Sequence, residues 1–310
     1  MPIRYGQGNK SGCSKFISSA FTAAILVGLQ IASQKASEHR YEVPLTSTLV
    51  PDYSFLYTPT PEIATYPQVE IVEANGDWLS HTDTVKTSGL TLQQQAVAPD
   101  VIHNIIEPAL SEFSPTFYRN LNVLNPQILL SSTIMVYDEK AQEWVQAGGV
   151  STNIDGKPAI ILDINYLNKS VIVHELSHMA FNNLTYVPEG TAESLLHPTF
   201  DQITSEAGLI YHNEWSITDS FGCTTVDPVG FESCYGSSDW YEDEATIATS
   251  LFAGDKYFYE RMADDDVLRE KANTIIEFYT YVSGGEMNRD FFERIRRSKT
   301  SPLRPILLPY

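Results

Sequence analysis

Two histidines stand four residues apart in "VIVHELSHMAFNN", and a glutamate directly follows the first of them. On a helix, positions i and i+4 lie one turn apart on the same face. His174 and His178 can therefore present two imidazoles to one metal ion at a separation that tetrahedral zinc needs. Glu175 is close to such an ion but turned aside from it. A carboxylate there can take a proton from a water that the metal activates and pass it to a leaving amine. The competing reading is a helix with two partly buried, hydrogen-bonded histidines. With 7 His in 310 residues, a chance match to His-Glu-x-x-His is on the order of one in a hundred, so the metal reading is preferred.

A third protein ligand must come from elsewhere, and two segments offer Glu-x-x-Ala at a helix start. "VPEGTAES" holds Glu189 and Ala192, with ten intervening residues after His178; "YEDEATIATSLF" holds Glu242 and Ala245, with sixty-three. A small residue one turn beyond the glutamate lets that helix pack closely on the histidine helix while the carboxylate reaches the metal. Each has an ordinary alternative. Glu189 can simply favour its own helix dipole, and Glu242 can be one charge in an exposed acidic run with Asp243 and Glu244.

These residues resemble gluzincin-type metallopeptidases, in which two histidines of His-Glu-x-x-His and a downstream glutamate bind zinc. "EGTAES" is similar to a Glu-Gly-x-Ala-Glu element found in many of them. "GFESCYGSSDWYEDEATIATSLF" is similar to another version, in bacterial zinc-binding metallopeptidases, where a Tyr-Gly turn precedes Glu-Asp-x-Ala-Glu. Thr246 stands where that pattern has its second glutamate. The resemblance covers roughly residues 100–255. It implies one Zn2+ held by His174, His178 and a glutamate, with Glu175 as general base and then acid. Glu242 is preferred over Glu189, because the interval to Glu189 is shorter than the first element usually shows. Tyr235, Tyr241, His197 and His212 are the candidates for stabilising the oxyanion. The implied fold is α+β and zincin-like: a small antiparallel or mixed sheet, an active-site helix and a mainly helical C-terminal part. A non-hydrolytic, zinc-stabilised binding or adhesion protein of the same fold remains the alternative.

The elements that would position these residues are visible in the pattern. Val97, Val101, Ile105, Ile106, Leu110 and Phe113 recur at helical spacing, with Pro99 and Asp100 as a start and Pro115 as a stop. Strands are expected over 127–138, 143–153 and 158–167, with an Asp-Gly hairpin turn at 154–157. The strand "AIILDIN" is either an edge that pairs with an extended peptide substrate or a core strand. Ser170 is the expected cap of the histidine helix. Further helices are expected near Pro188, over 241–252 and over 255–283, followed by a basic tail.

The net charge of −19 leaves no basic surface for phosphates, so nucleic acid is not expected as a partner. A peptide or protein substrate is. Arg4, Lys10 and Lys15 precede the apolar run 16–33, which reads as a signal peptide or an uncleaved N-terminal anchor. The chain is thus expected to be secreted, periplasmic or at the cell surface, touching a membrane only through that segment. Residues 34–95 read as a Pro/Thr-rich linker or pro-region, and 96–310 as the metallopeptidase domain. Cys223 and Cys234 could close a disulfide, which export would permit; two free thiols are the alternative.

Overall fold

The computed structural model describes residues 66–72, 78–184, 196–212 and 228–300, all within the compact unit Ser47–Tyr310. The fold is α+β. One four-stranded sheet has the order β1 (Val69–Ile71), β4 (Gln127–Ser131), β8 (Lys157–Asp163), β7 (Gly149–Ile154). Its β1, β4 and β8 run parallel, and β7 is antiparallel to β8. The second sheet is wholly antiparallel: β2 (Leu79–Ser80), β3 (Val85–Ser88), β5 (Thr133–Asp138), β6 (Glu143–Ala147).

Several expectations change here. The run 127–138 is two strands in two sheets, divided at Ser132. Residues 69–71 and 79–88 fall inside the stretch read as linker or pro-region, yet they build strands in both sheets. Short strands of mixed polarity carry too little alternation to show in the sequence. "AIILDIN" belongs to β8, which is flanked on both sides, so it is a core strand; among the described residues the outer strands of this sheet are β1 and β7. That burial explains its unbroken apolar run. The hairpin at 154–157 has the expected form, with Asp155 at φ 51° and Gly156 at φ 77° between the paired Ile154 and Lys157.

Helix α1 (Leu92–Val101) starts earlier than Pro99, because Thr91 and Gln94 form a reciprocal capping box. Pro99 lies inside it, and the chain continues through a π-helical stretch, Ile102–Ile106, into the turn Glu107–Leu110. A missing amide at Pro99 favours such a local change of winding. After α2 (Pro115–Asn122), the histidine helix α3 (Lys169–Asn183) is capped by Asn168, whose side chain accepts from the Val171 amide, rather than by Ser170. Then follow α4 (Leu196–Glu206), α5 (Trp240–Ala253), α6 (Lys256–Asp264), α7 (Asp266–Val282) and α8 (Arg289–Thr300), the last formed by the basic tail.

Helix α3 is buried almost all round, as its continuous apolar flanks require. Its Phe181 meets Tyr279, Phe252 and Phe113 belong to the same core, and the Phe113 and Phe252 rings stack at 4.4 Å. Inside this core Ser177 Oγ meets Tyr279 Oη at 2.8 Å, joining α3 to α7 through one polar contact. Lys169, at the start of α3, donates to the Phe252 carbonyl in the last turn of α5 and pairs with Glu112 at 2.6 Å. A cation there suits the negative end of α5.

The start of α5 is fixed more firmly. Asp239 caps it by accepting from the Glu242 amide. One residue on, Asp243 forms an ion pair with Lys271 of α7 at 2.7 Å, with neither side chain exposed to solvent. Burial pushes Asp243 up and Lys271 down, and their mutual attraction opposes both shifts. Tyr211 also donates to Asp243 at 2.9 Å. Lys271→Met would leave the carboxylate buried without its cation. The expected cost is about 3–5 kcal/mol of folding stability by urea unfolding; an unchanged midpoint would show that the pair does not hold α5.

Candidate metal centre

Helix α3 presents His174 and His178 on one face, and antiparallel packing against α5 brings Glu242 opposite them. His174 Nε2 lies 3.0 Å from Glu242 Oε2, His178 Nε2 lies 3.4 Å from the same oxygen, and the two Nε2 atoms are 3.0 Å apart. Close approach is allowed by Ala245 and Ala248, both wholly buried on α5. The site is nearly closed: the His178 side chain is 3% exposed, His174 16% and Glu242 19%. Glu242, Asp243 and Glu244 are thus not an exposed acidic run. Among the described residues both Glu244 oxygens are buried without a partner, and burial raises that carboxyl well above its ordinary value.

The electrostatics follow from this crowding. Burial pushes Glu242 up, but His178 and His174 outweigh it and hold the carboxyl well below the usual range. Burial pushes His178 down to about 4, and the Glu242 carboxylate only partly opposes that. Burial also lowers His174, yet Glu242 outweighs it and leaves that ring above its ordinary value. Two imidazole nitrogens and a carboxylate oxygen all lie within 4.8 Å of one another. Converging donors of this kind can share a proton, as His174 and Glu242 do, or close around a cation. The residues therefore fit a divalent cation, and two imidazoles with one carboxylate are a donor set that suits zinc.

Glu175 stands beside the cluster with its carboxyl accepting from the Ser151 amide of β7, and burial raises it to about 7. Its place against the sheet depends on Gly149. A Cβ there would lie 2.6 Å from Glu175 Cγ and 2.8 Å from Oε1. Neither Gly149 nor Ser151 is singled out by the sequence reading; the only signal is the paired glycine inside a strand pattern, which marks close approach by another group.

The other candidates separate. Tyr235 hydrogen-bonds Glu242, and its ring lies 6.1 Å from that of His174, so it borders the cluster. Gly236 must stay small after it, because a Cβ would come 2.7 Å from Thr246 Oγ1. Tyr241 stacks on His178, and its hydroxyl is bonded to Asn182 and Ser151. His212 bonds through its backbone to Ser237 and is not in the cluster. Glu189, Cys223 and the His197 side chain lie outside the described residues, as does the expected disulfide through its Cys223 end.

No protein-family model matches the chain, and no curated protein matches it. It is similar to the crystal structure of a "putative zinc-binding metallo-peptidase" from Bacteroides caccae. The two share 12% identity over 93% of this chain and 96% of the other, with a TM-score of 0.45. A likeness of that size assigns no residue a role.

Two outcomes test the centre. Glu242→Ala is expected to lose stoichiometric zinc and Glu189→Ala to retain it, read by elemental analysis of the purified variants; the reverse pattern would assign the third ligand to Glu189. Zinc affinity should also fall as pH is lowered, with the fall beginning above the ordinary imidazole range, because protons compete for the raised His174 nitrogen. A flat profile by chelator competition would exclude that ring as a ligand.

Proposed function

We propose that the chain is a zinc-dependent peptidase, with His174, His178 and Glu242 as metal ligands and Glu175 as the group that moves protons. The observation that supports this best is the placement of one buried carboxyl, tuned to about 7, next to a cluster of three converging donors. When bound there, zinc would supply Lewis acidity toward a water and a scissile carbonyl.

The chain's own residues supply the rest. Glu175 accepts a proton at a carboxylate oxygen and returns it to the departing amine, which requires a value near working pH. The Ser151 amide and the tight space at Gly149 hold that carboxyl in one orientation. Because Ser151 points its amide at Glu175, the outer edge of β7 runs past the carboxyl. An extended peptide can add to that edge by backbone hydrogen bonds. Tyr235, bonded to Glu242, is the better placed of the two tyrosines to meet a developing oxyanion; Tyr241 has its hydroxyl engaged elsewhere. The low exposure of the site limits competing water.

The reading includes export, carried by the basic and apolar segment 1–33. Among the described residues no helix is long and apolar enough to cross a membrane.

Glu175→Gln should keep one equivalent of zinc and lose peptide cleavage by about a hundredfold or more. Full cleavage by that variant would remove Glu175 from the proton-moving role, and no cleavage by the zinc-loaded parent chain would favour the non-hydrolytic, zinc-stabilised alternative. Gly149→Ala should act in the same direction by displacing Glu175, with zinc retained. The acid limb of kcat/KM should lie at or below about 7: the charged form of Glu175 is the active one, and a nearby dication favours it. Activity should therefore rise with pH through that limb, and activity that rises as pH falls would contradict the role.

A further inference from the structure

A histidine that binds a metal through one ring nitrogen ordinarily donates its other N–H to a carboxylate or carbonyl, which fixes the plane of the ring. His178 lacks that support. Its Nδ1 is buried and has no hydrogen-bond partner among the described residues, although Nε2 points into the cluster at 3.0 Å from His174 Nε2. What lies on the ring instead is Tyr241. The two rings are stacked with centroids 3.7 Å apart and only 11° between their planes.

The stack is itself held from both ends. Asn182, one helical turn beyond His178 on α3, donates its Nδ2 to the Tyr241 hydroxyl at 2.9 Å. Tyr241 is the second residue of α5, directly before Glu242, so the residue that supplies the carboxylate carries the stacked ring beside it. Tyr241 also lies nearly perpendicular to its neighbour Trp240, with ring centroids 5.7 Å apart.

We propose that Tyr241 is a positioning residue for the metal centre: its ring fixes the plane of His178 and favours the metal-bound imidazole. This rests on the zinc reading given above. The physical reason is electronic as well as steric. A dication on Nε2 draws charge out of the imidazole, and the electron-rich face of a phenol ring is attracted to such an electron-poor partner. The neutral, unbound imidazole gains less from the same contact, so the difference appears as metal affinity. The hydroxyl is not the agent, because it is tied to Asn182 and Ser151 rather than aimed at the cluster.

The test is zinc affinity of the full chain by competition with a chelator, alongside the thermal midpoint of the metal-free protein and the visible spectrum of the cobalt(II) form. Tyr241→Phe keeps the ring and should bind zinc within about threefold of the parent chain, with an unchanged cobalt spectrum. Tyr241→Met fills similar space without a ring and should weaken zinc by roughly tenfold or more, the range for residues that orient a ligand, with a shifted cobalt spectrum. Should Tyr241→Met fail to fold, pentafluorophenylalanine at position 241 decides: it keeps the shape of Phe but reverses the charge of the ring face. It should bind zinc roughly fivefold more weakly than Tyr241→Phe at an equal metal-free midpoint. Equal affinities among the ring, ringless and fluorinated variants would overturn the proposal while leaving the zinc reading intact. A parent chain that binds no zinc would overturn both.

Discussion

Everything at the centre depends on one carboxylate oxygen shared by two imidazoles. Glu242 Oε2 reaches both histidines of α3 from a different helix, so the cluster exists only while α3 and α5 keep their spacing. That spacing is set by ordinary packing: alanines on α5, a clasp at Lys169 and Phe252, and the aromatic layer beneath. The buried Asp243–Lys271 pair ties the start of α5 to α7. A slip of one residue would replace Glu242 by Asp243 or Tyr241 and dissolve the site.

Three consecutive acids show how local surroundings divide one kind of side chain into three roles. Glu242 is kept charged by the histidines facing it. Asp243 shares its charge with Lys271 and accepts from Tyr211. Glu244 has neither partner among the described residues, and burial pushes it well above its ordinary value. A fourth carboxyl, Glu175, lies between these extremes, since the Ser151 amide and His174 favour its charged form while burial opposes it. Composition reports all of these as formal charge; only the folded contacts distinguish them.

The His-Glu-x-x-His helix is legible in the sequence because its chemistry and its periodicity coincide within five residues. The preference for Glu242 could also be stated, since the Tyr-Gly and Glu-Asp-x-Ala elements surround it. The remainder was harder to read for physical reasons. β1, β2 and β3 are too short to alternate visibly, and β1 and β3 pair with strands forty or more residues away, which is non-local. Gly149 matters through a steric absence, which no residue type announces. Tyr241 matters through the face of its ring, whereas a sequence reading naturally assigns a tyrosine by its hydroxyl.

The central claim is that His174, His178 and Glu242 jointly hold one zinc ion in the folded chain. X-ray absorption at the zinc edge of the purified full-length protein addresses this most directly. The account predicts one equivalent of zinc with only nitrogen and oxygen neighbours at about 2.0–2.2 Å, and multiple scattering from two imidazole rings. Sub-stoichiometric zinc, a single imidazole, or sulfur neighbours near 2.3 Å would contradict it.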